Sequence, residues 1–244
     1  MVAPLKIFRY KKLQSTNATA YQLAQQDAPE WTIIVADVQT KGRGRGRKKW
    51  VSPKGGLWFS ILLRPNVVGS KLPMLQFLIA NAIRQALENE TGLPVRLKWP
   101  NDILLNGQKL GGILIESKTQ GDMVSFAVIG IGLNINLSQN RLPPHAVSLR
   151  AQTGIRYDEN HLLNAIIDQS KSRYKDLNKP RPTRILEEWW RNCVHRLARV
   201  QVTLYGKTIE GVTTSVGGDG SLLIRTDDDR FEKVTEGSLA ILND

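Results

Sequence analysis

Residues 39–52 read QTKGRGRGRKKWVS, and this stretch limits what the chain can become more than any other. Gly42, Gly44 and Gly46 alternate with Arg43, Arg45 and Arg47, which interrupts any regular periodicity and lets the backbone approach a ligand closely. The apolar run at 33–36 has the length of a buried strand, and the run at 57–63 reads as the next one. The arginines bring permanent charge and forked donors that match phosphate or carboxylate oxygens. Trp50 closes the loop with a flat apolar face. Strand, flexible basic loop and strand make a lid over an anionic ligand. Taken alone, the same loop also fits an RNA-binding Arg-Gly segment or a solvated connection.

Composition narrows the class. A chain of 244 residues, 41% hydrophobic and 23% charged, has the make-up of one main globular domain with a small appendage. No apolar run reaches the roughly 20 residues that span a bilayer. The opening MVAPLKIFRYKKL has too short an apolar block for a secretory signal. Cys193 is the single cysteine, which excludes an intrachain disulfide and fits a cytoplasmic setting. The net charge of +12 attracts nucleic acid, anionic lipid or an acidic protein. Its basic residues are spread along the chain, densest at 41–49 and 171–184, which reads as a solvated surface rather than a nucleic-acid groove.

Along the chain, Ser15 or Thr16 can cap a helix that runs to about Asp27 and stops before Pro29. With Asn17 they place small polar side chains at a helix start, suited to a neutral polar ligand. Strands are expected at 32–38 and 57–63, and helical spacing fills 72–90. Residues 95–99 alternate like a half-buried strand that Pro100 ends. Asn106-Gly107 predicts a hairpin joining 103–105 to 109–115, with Lys98, Asp102 and Lys109 near strand ends. Residues 124–135 are the most apolar strand and belong at the centre of the sheet, where Gly130 and Gly132 signal a tightly packed neighbour. A loop is expected over 138–159, then helices at 160–178 and 183–196 separated by Pro180 and Pro182. From Arg199 onward, short strands punctuated by glycine read as a small β-barrel-like appendage.

Five ordered blocks now stand out: Ser15-Thr16-Asn17, the Gly-Arg loop, Lys98-Trp99-Pro100-Asn101-Asp102, KLGGIL at 109–114 and GIGLNIN at 130–136. In that order and spacing the chain resembles the biotin–protein ligases (biotin–[acetyl-CoA-carboxylase] ligases) over nearly its whole length. The resemblance implies an α+β fold: a mixed-sheet, class II aminoacyl-tRNA-synthetase-like catalytic domain over 1–197 and a C-terminal SH3-like β-barrel over 198–244. It implies that biotin and ATP give biotinyl-5′-adenylate and pyrophosphate, with Mg on the ATP phosphates, and that an acceptor lysine then takes the biotinyl group. By the same resemblance Ser15, Thr16, Asn17, Gln39, Gly42, Arg43, Lys109, Gly111 and Gly112 bind biotin. Arg43, Arg45, Trp50, Lys98, Asn101 and Asn134 bind ATP or the adenylate, while Lys109, Arg45 and Asp102 act in catalysis. The implied partner is an acidic biotin carboxyl carrier domain of acetyl-CoA carboxylase. About 14 residues precede the Ser-Thr-Asn block, too few for the winged helix-turn-helix of some members, so specific DNA binding is not expected.

One departure matters. The family loop usually reads GRGRxGRxW, and alignment from Gly42 to Trp50 puts Arg47 where glycine is usual and Lys48 where arginine is usual. Lipoate–protein ligase shares the fold and the adenylate chemistry, but its Arg-Arg-x-Ser-Gly-Gly-Gly block is absent here. An RNA-binding protein would interleave exposed aromatics with its basic residues, and Trp50 is the one aromatic in the loop.

Overall fold

The computed structural model describes residues 5–178, 183–204 and 206–242, with the side chains of Arg47 and Asn178 outside the description. The chain begins with β1 (Lys6–Tyr10), α1 (Thr16–Gln25), β2 (Thr32–Ala36) and β3 (Leu57–Leu63). It continues through α2 (Leu72–Thr91), β4 (Val95–Lys98), β5 (Asp102–Leu105), β6 (Gln108–Gln120) and β7 (Met123–Leu133). Three helices follow: α3 (Leu149–Thr153), α4 (Glu159–Tyr174) and α5 (Thr183–Arg191). Then come β8 (Arg199–Leu204), β9 (Lys207–Val216), β10 (Leu222–Arg225), β11 (Phe231–Val234) and β12 (Ser238–Ile241).

Seven strands form one mixed sheet in the order β1-β2-β3-β7-β6-β5-β4, with β1 and β2 parallel and the other neighbours antiparallel. β7 takes the central position expected of the most apolar run. The two faces of the sheet are unlike. Leu57, Phe59, Ile61 and Leu63 of β3, with Ala127, Ile129, Ile131 and Leu133 of β7, join the main core against α2, α4 and α5. Burying each such aliphatic side chain contributes about 1.5–3 kcal/mol, so this face anchors the fold. On the opposite face Ile34, Leu62, Phe126 and Val128 pack under Ala20 and Ala24 of α1. α1 covers only part of that face, and the uncovered part becomes the floor of the site.

Several local expectations need correction. β1 was not expected, because its half-exposed edge position leaves little apolar alternation to read. The loop over 138–159 contains α3, a short helix capped by the Ser148 hydroxyl, which accepts from the Ala151 N–H at 2.9 Å. The helix expected over 160–178 turns into a 3-10 segment after Tyr174. The next helix stops at Arg191, not 196, because the backbone at 192–194 pairs with Leu97 instead: Leu97 N–H donates to Asn192 at 3.0 Å and Val194 N–H to Leu97 at 2.9 Å. The break expected at Pro180 and Pro182 lies outside the described residues.

The C-terminal strands form an antiparallel five-stranded sheet in the order β11-β10-β9-β8-β12. Its edge strands β11 and β12 do not pair among the described residues, so the expected closed barrel is here an open sheet. Val200, Val202, Leu222 and Ile224 of this sheet belong to the same hydrophobic cluster as the main core. No helix among the described residues is long and apolar enough to cross a membrane.

Candidate active site

A cavity of about 690 Å³ opens on the face of the seven-stranded sheet that α1 leaves uncovered. Its floor is built by strand alternation. Gly130 and Gly132 of β7, Gly112 and Leu114 of β6, and Asp102 and Leu104 of β5 all point to it. Both β7 glycines leave room for a specific neighbour. A Cβ at Gly130 would lie 2.2 Å from Asn17 Oδ1, and one at Gly132 would lie 2.6 Å from Trp50 Nε1. Those two side chains are the tight packing that the sequence signalled.

Lys109 and Gly112 are three residues apart, so a regular strand would point them to opposite faces. A bulge resolves this. Leu104 pairs with Lys109 and Ile103 with Gly111, skipping Leu110, which drops into the core. Such an extra residue re-aims the side chains that follow it. Lys109 Nζ therefore reaches the cavity, 2.5 Å from Asp102 Oδ1 and 5.3 Å from the centre of the Trp50 ring. Trp50 spreads over Gly112 and Gly132, and its buried indole N–H has no hydrogen-bond partner among the described residues.

The basic loop joins β2 to β3 and is pinned at its base. Gln39 amide N–H donates to Ser52 Oγ at 2.9 Å, and Gln39 Oε1 accepts from the Thr16 backbone N–H at 2.8 Å. Gly46 makes the left-handed turn of the loop, with φ at 62°. The turn thus falls one residue before the position where the family pattern usually has glycine. Arg43 donates to Glu116 at 2.8 Å. Arg45 crosses to the C-terminal sheet, donating to the Thr235 carbonyl at 3.0 Å and lying 5.9 Å from the Trp99 ring centre. Burial pulls the Arg45 guanidinium below its ordinary pKa, and the Glu236 carboxylate partly offsets that.

At the start of α1, Ser15 is the cap: its hydroxyl accepts from the Ala18 N–H at 3.4 Å. Thr16, Asn17 and Ser60 form a buried polar group, with Ser60 Oγ at 2.8 Å from Thr16 Oγ1 and 2.6 Å from Asn17 Oδ1. Asn101 donates to the Ile113 carbonyl at 2.7 Å, and Asn134 to that of Val147 at 3.2 Å, so both brace the walls. Every site residue read from the sequence lines the cavity except Gly42 and Gly111. Those two are small for packing reasons instead. A Cβ at Gly42 would meet the Trp50 carbonyl at 2.4 Å, and one at Gly111 would meet Leu133 at 2.5 Å on the core face.

Sequence reading missed Ser60, Glu116 and the C-terminal segment 235–239. Ser60 had a signal, a lone hydroxyl in the apolar run LWFSILL. Glu116 follows Gly112 and Leu114 in strict alternation once the bulge is known. Thr235 had none, because it meets Arg45 across 190 residues of sequence.

A glycine-floored cavity lined by Lys109, Arg43 and Arg45 beneath the basic loop has the charge and shape that suit an anionic ligand. The family model described as "Biotin/lipoate A/B protein ligase family" matches residues 10–134. The bifunctional ligase/repressor BirA of Bacillus subtilis is 36% identical over 221 residues, covering 88% of this chain and 68% of that protein. The biotin–[acetyl-CoA-carboxylase] ligase of Paracoccus denitrificans is 31% identical over 228 residues, covering 88% and 92%. The solved biotin protein ligase of Aquifex aeolicus in complex with biotin and ATP matches with a TM-score of 0.81 at 27% identity, covering 98% of this chain and 99% of that one. The chain belongs to the biotin/lipoate A/B protein ligase family.

Proposed function

We propose that the chain is an ATP-dependent biotin–protein ligase, which activates biotin as biotinyl-5′-AMP and transfers it to a lysine of a biotin carboxyl carrier domain. The observation that carries this reading is the placement of Lys109, whose ammonium stands on the cavity floor between Asp102 and the Trp50 ring. The relatives named for biotin ligation and the solved complex with biotin and ATP support the choice of substrates.

In the first half-reaction the biotin carboxylate attacks the α-phosphorus of ATP and pyrophosphate leaves. Two anionic groups must approach each other, so the site has to neutralise both. Lys109 is placed to contact the carboxylate and the α-phosphate oxygens together, while Arg43 and Arg45 hold the phosphates from the loop. Arginine keeps its charge near neutral pH, so the clamp does not switch off during the step. No group of three or more acidic, His or Cys side chains that could hold a metal occurs among the described residues. In this reading Mg is carried on the ATP phosphates, as part of the substrate. Ser15, Thr16, Asn17, Gln39 and Gly112 form the biotin end, with Gly42 and Gly111 supporting it by packing. Trp50, Lys98, Asn101 and Asn134 form the adenylate end.

In the second half-reaction the acceptor amine attacks the acyl carbon and AMP leaves. A free lysine has a pKa of about 10.4, so it needs a neighbour to take its proton near pH 7. Asp102 is that neighbour: one carboxylate oxygen holds Lys109 and the other is left for the incoming amine. The loop over the cavity keeps water from the reactive anhydride.

In this reading residues 1–197 are the catalytic unit, of class II aminoacyl-tRNA-synthetase-like type, and 198–244 an SH3-like module. The acceptor domain is acidic and the setting is cytoplasmic. The test is incubation with α-labelled ATP and either biotin or lipoate. We expect label in an adenylate with biotin alone. Adenylation of lipoate in place of biotin would reassign the enzyme within its family, and no adenylate with either would remove the ligase reading.

A further inference from the structure

His195 is a wholly buried titratable side chain on the segment between α5 and β8, and none of the steps above uses it. Its role follows from the edge of β4. Leu97 of that strand pairs in parallel with Cys193: its N–H donates to the Asn192 carbonyl at 3.0 Å, and its carbonyl accepts from the Val194 N–H at 2.9 Å. The next N–H on this edge belongs to Trp99, and one more parallel rung would join it to the Val194 carbonyl. The His195 imidazole takes it instead, with Nε2 at 2.9 Å.

A backbone N–H can only donate, so Nε2 is the bare acceptor and the ring carries its proton on Nδ1. Burial holds the ring neutral, as this bond requires. Burial also keeps the Cys193 thiol protonated, so that its sulfur, 3.1 Å from the same Nε2, meets it as a second donor. What the imidazole holds is the three-residue connection from β4 to β5. Lys98 and Asp102 are direct cross-strand partners at its two ends. Gln76 of α2 donates to the Pro100 carbonyl at 2.5 Å, and Asn101 donates to the Ile113 carbonyl at 2.7 Å, which fixes the later part of the connection. His195 fixes its first peptide. A buried N–H left unpaired is costly, so without the imidazole that peptide turns toward another acceptor, and Lys98 and Asp102 shift with it.

We propose that His195 is a positioning residue for the transfer half-reaction, holding the β4–β5 connection so that Asp102 stands where the acceptor amine arrives. This rests on the ligase reading above, in which Asp102 takes the amine proton. Ser15, Thr16 and Gln39, at the biotin end, are carried by α1 and the base of the basic loop, so biotin affinity is independent of this hold.

Two substitutions separate position from packing. Glutamine can bring its side-chain oxygen to the place of Nε2, whereas asparagine reaches only the place of Nδ1; both are polar and both leave ring volume unfilled. Single-turnover transfer from preformed biotinyl-5′-AMP to a purified biotin carboxyl carrier domain is timed in wild type, His195→Gln and His195→Asn, below the melting transition of each. Calorimetric titration with biotin runs alongside. His195→Asn should slow transfer at least about tenfold, since a misplacement of about 1 Å can cost about 100-fold. His195→Gln should retain most of the rate, and biotin affinity should be unchanged in both. In an Asp102→Asn background His195→Asn should cost nothing further, because the group it serves is already gone. Equal slowing in the two variants, biotin affinity lost along with transfer, or additive losses with Asp102→Asn would make the role merely structural and overturn the proposal. A wild-type rate in His195→Asn overturns it as well, and so does a His195→Asn chain that does not fold, because His195 would then serve the fold rather than Asp102. Absence of transfer by wild type would instead remove the ligase reading, and this proposal with it.

Discussion

Lys109 and His195 show how much one residue's surroundings decide. Lys109 reaches the cavity only because the bulge at Leu110 turns it there, and it meets Asp102 at 2.5 Å. Lys109→Ala should slow adenylation by about 10–100-fold, the loss of one charge-assisted contact of about 1.5–3 kcal/mol. Pyrophosphate release measures the rate and circular dichroism the fold; a wild-type rate would take Lys109 out of the mechanism. His195 is wholly buried, and its Nε2 accepts from the Trp99 N–H at 2.9 Å and lies 3.1 Å from the Cys193 sulfur. Nδ1 therefore carries the proton of the neutral ring, and it has no partner among the described residues. Burial is the main cause that lowers the His195 pKa from 6.5 to about 4, with Lys98 adding to it, and burial pushes the Cys193 thiol up to about 12. Between those His195 values the unfolded chain binds the proton and the folded one does not. The stability His195 contributes is then full above pH 6.5 and is lost as pH falls toward 4, by about 3 kcal/mol in all. Denaturant titrations across that window should show a flatter pH slope in His195→Gln than in wild type. Equal slopes would mean that the ring is not buried as a neutral group.

At the scale of elements, the sequence was legible where the period of a strand or helix was unbroken. β7 was read as the central strand because it is apolar on both faces, and α2 because its leucines and isoleucines recur at helical spacing. The glycines of β7 announced a close neighbour without naming it. What could not be read was anything that breaks the period. The bulge in β6 sets Gly111 on the core face against Leu133, whereas the family resemblance had assigned it to the ligand. The turn of the chain along β4 ended α5 early for a reason that lies in β4, not in the helix. Gly132→Ala should test the floor of the site. Its new Cβ would lie 2.6 Å from Trp50 Nε1 and expel the indole, so adenylate affinity should fall at least tenfold while the melting temperature changes little. Calorimetric binding that survives the change would show that Trp50 does not need its seat on β7.

Across the whole molecule, the two sheets share one hydrophobic cluster, and Arg45 ties the basic loop to Thr235, in the connection between β11 and β12. Neither link was legible, because the partners are remote in sequence and carry no motif. The excess charge was legible at once, but only as a number. The net +12 exceeds what the cavity gathers among the described residues, where Arg43, Arg45, Lys48, Lys49, Lys98 and Lys109 line it beside Asp102 and Glu236. We assign the remainder to attracting the acidic acceptor domain proposed above, because complementary charge raises the rate of encounter more than it deepens the final complex. Exposed charges act through solvent, and their reach shrinks from about 10 Å at 0.1 M salt to about 3 Å at 1 M. Adenylation takes place beneath the loop, at short range and partly out of water, so salt reaches it less. Timing the two half-reactions separately across a salt series should therefore show transfer to the acceptor slowing well before adenylation does. Equal sensitivity in the two would end the docking assignment, and tight, salt-sensitive binding of RNA by the same protein would give the charge to nucleic acid instead.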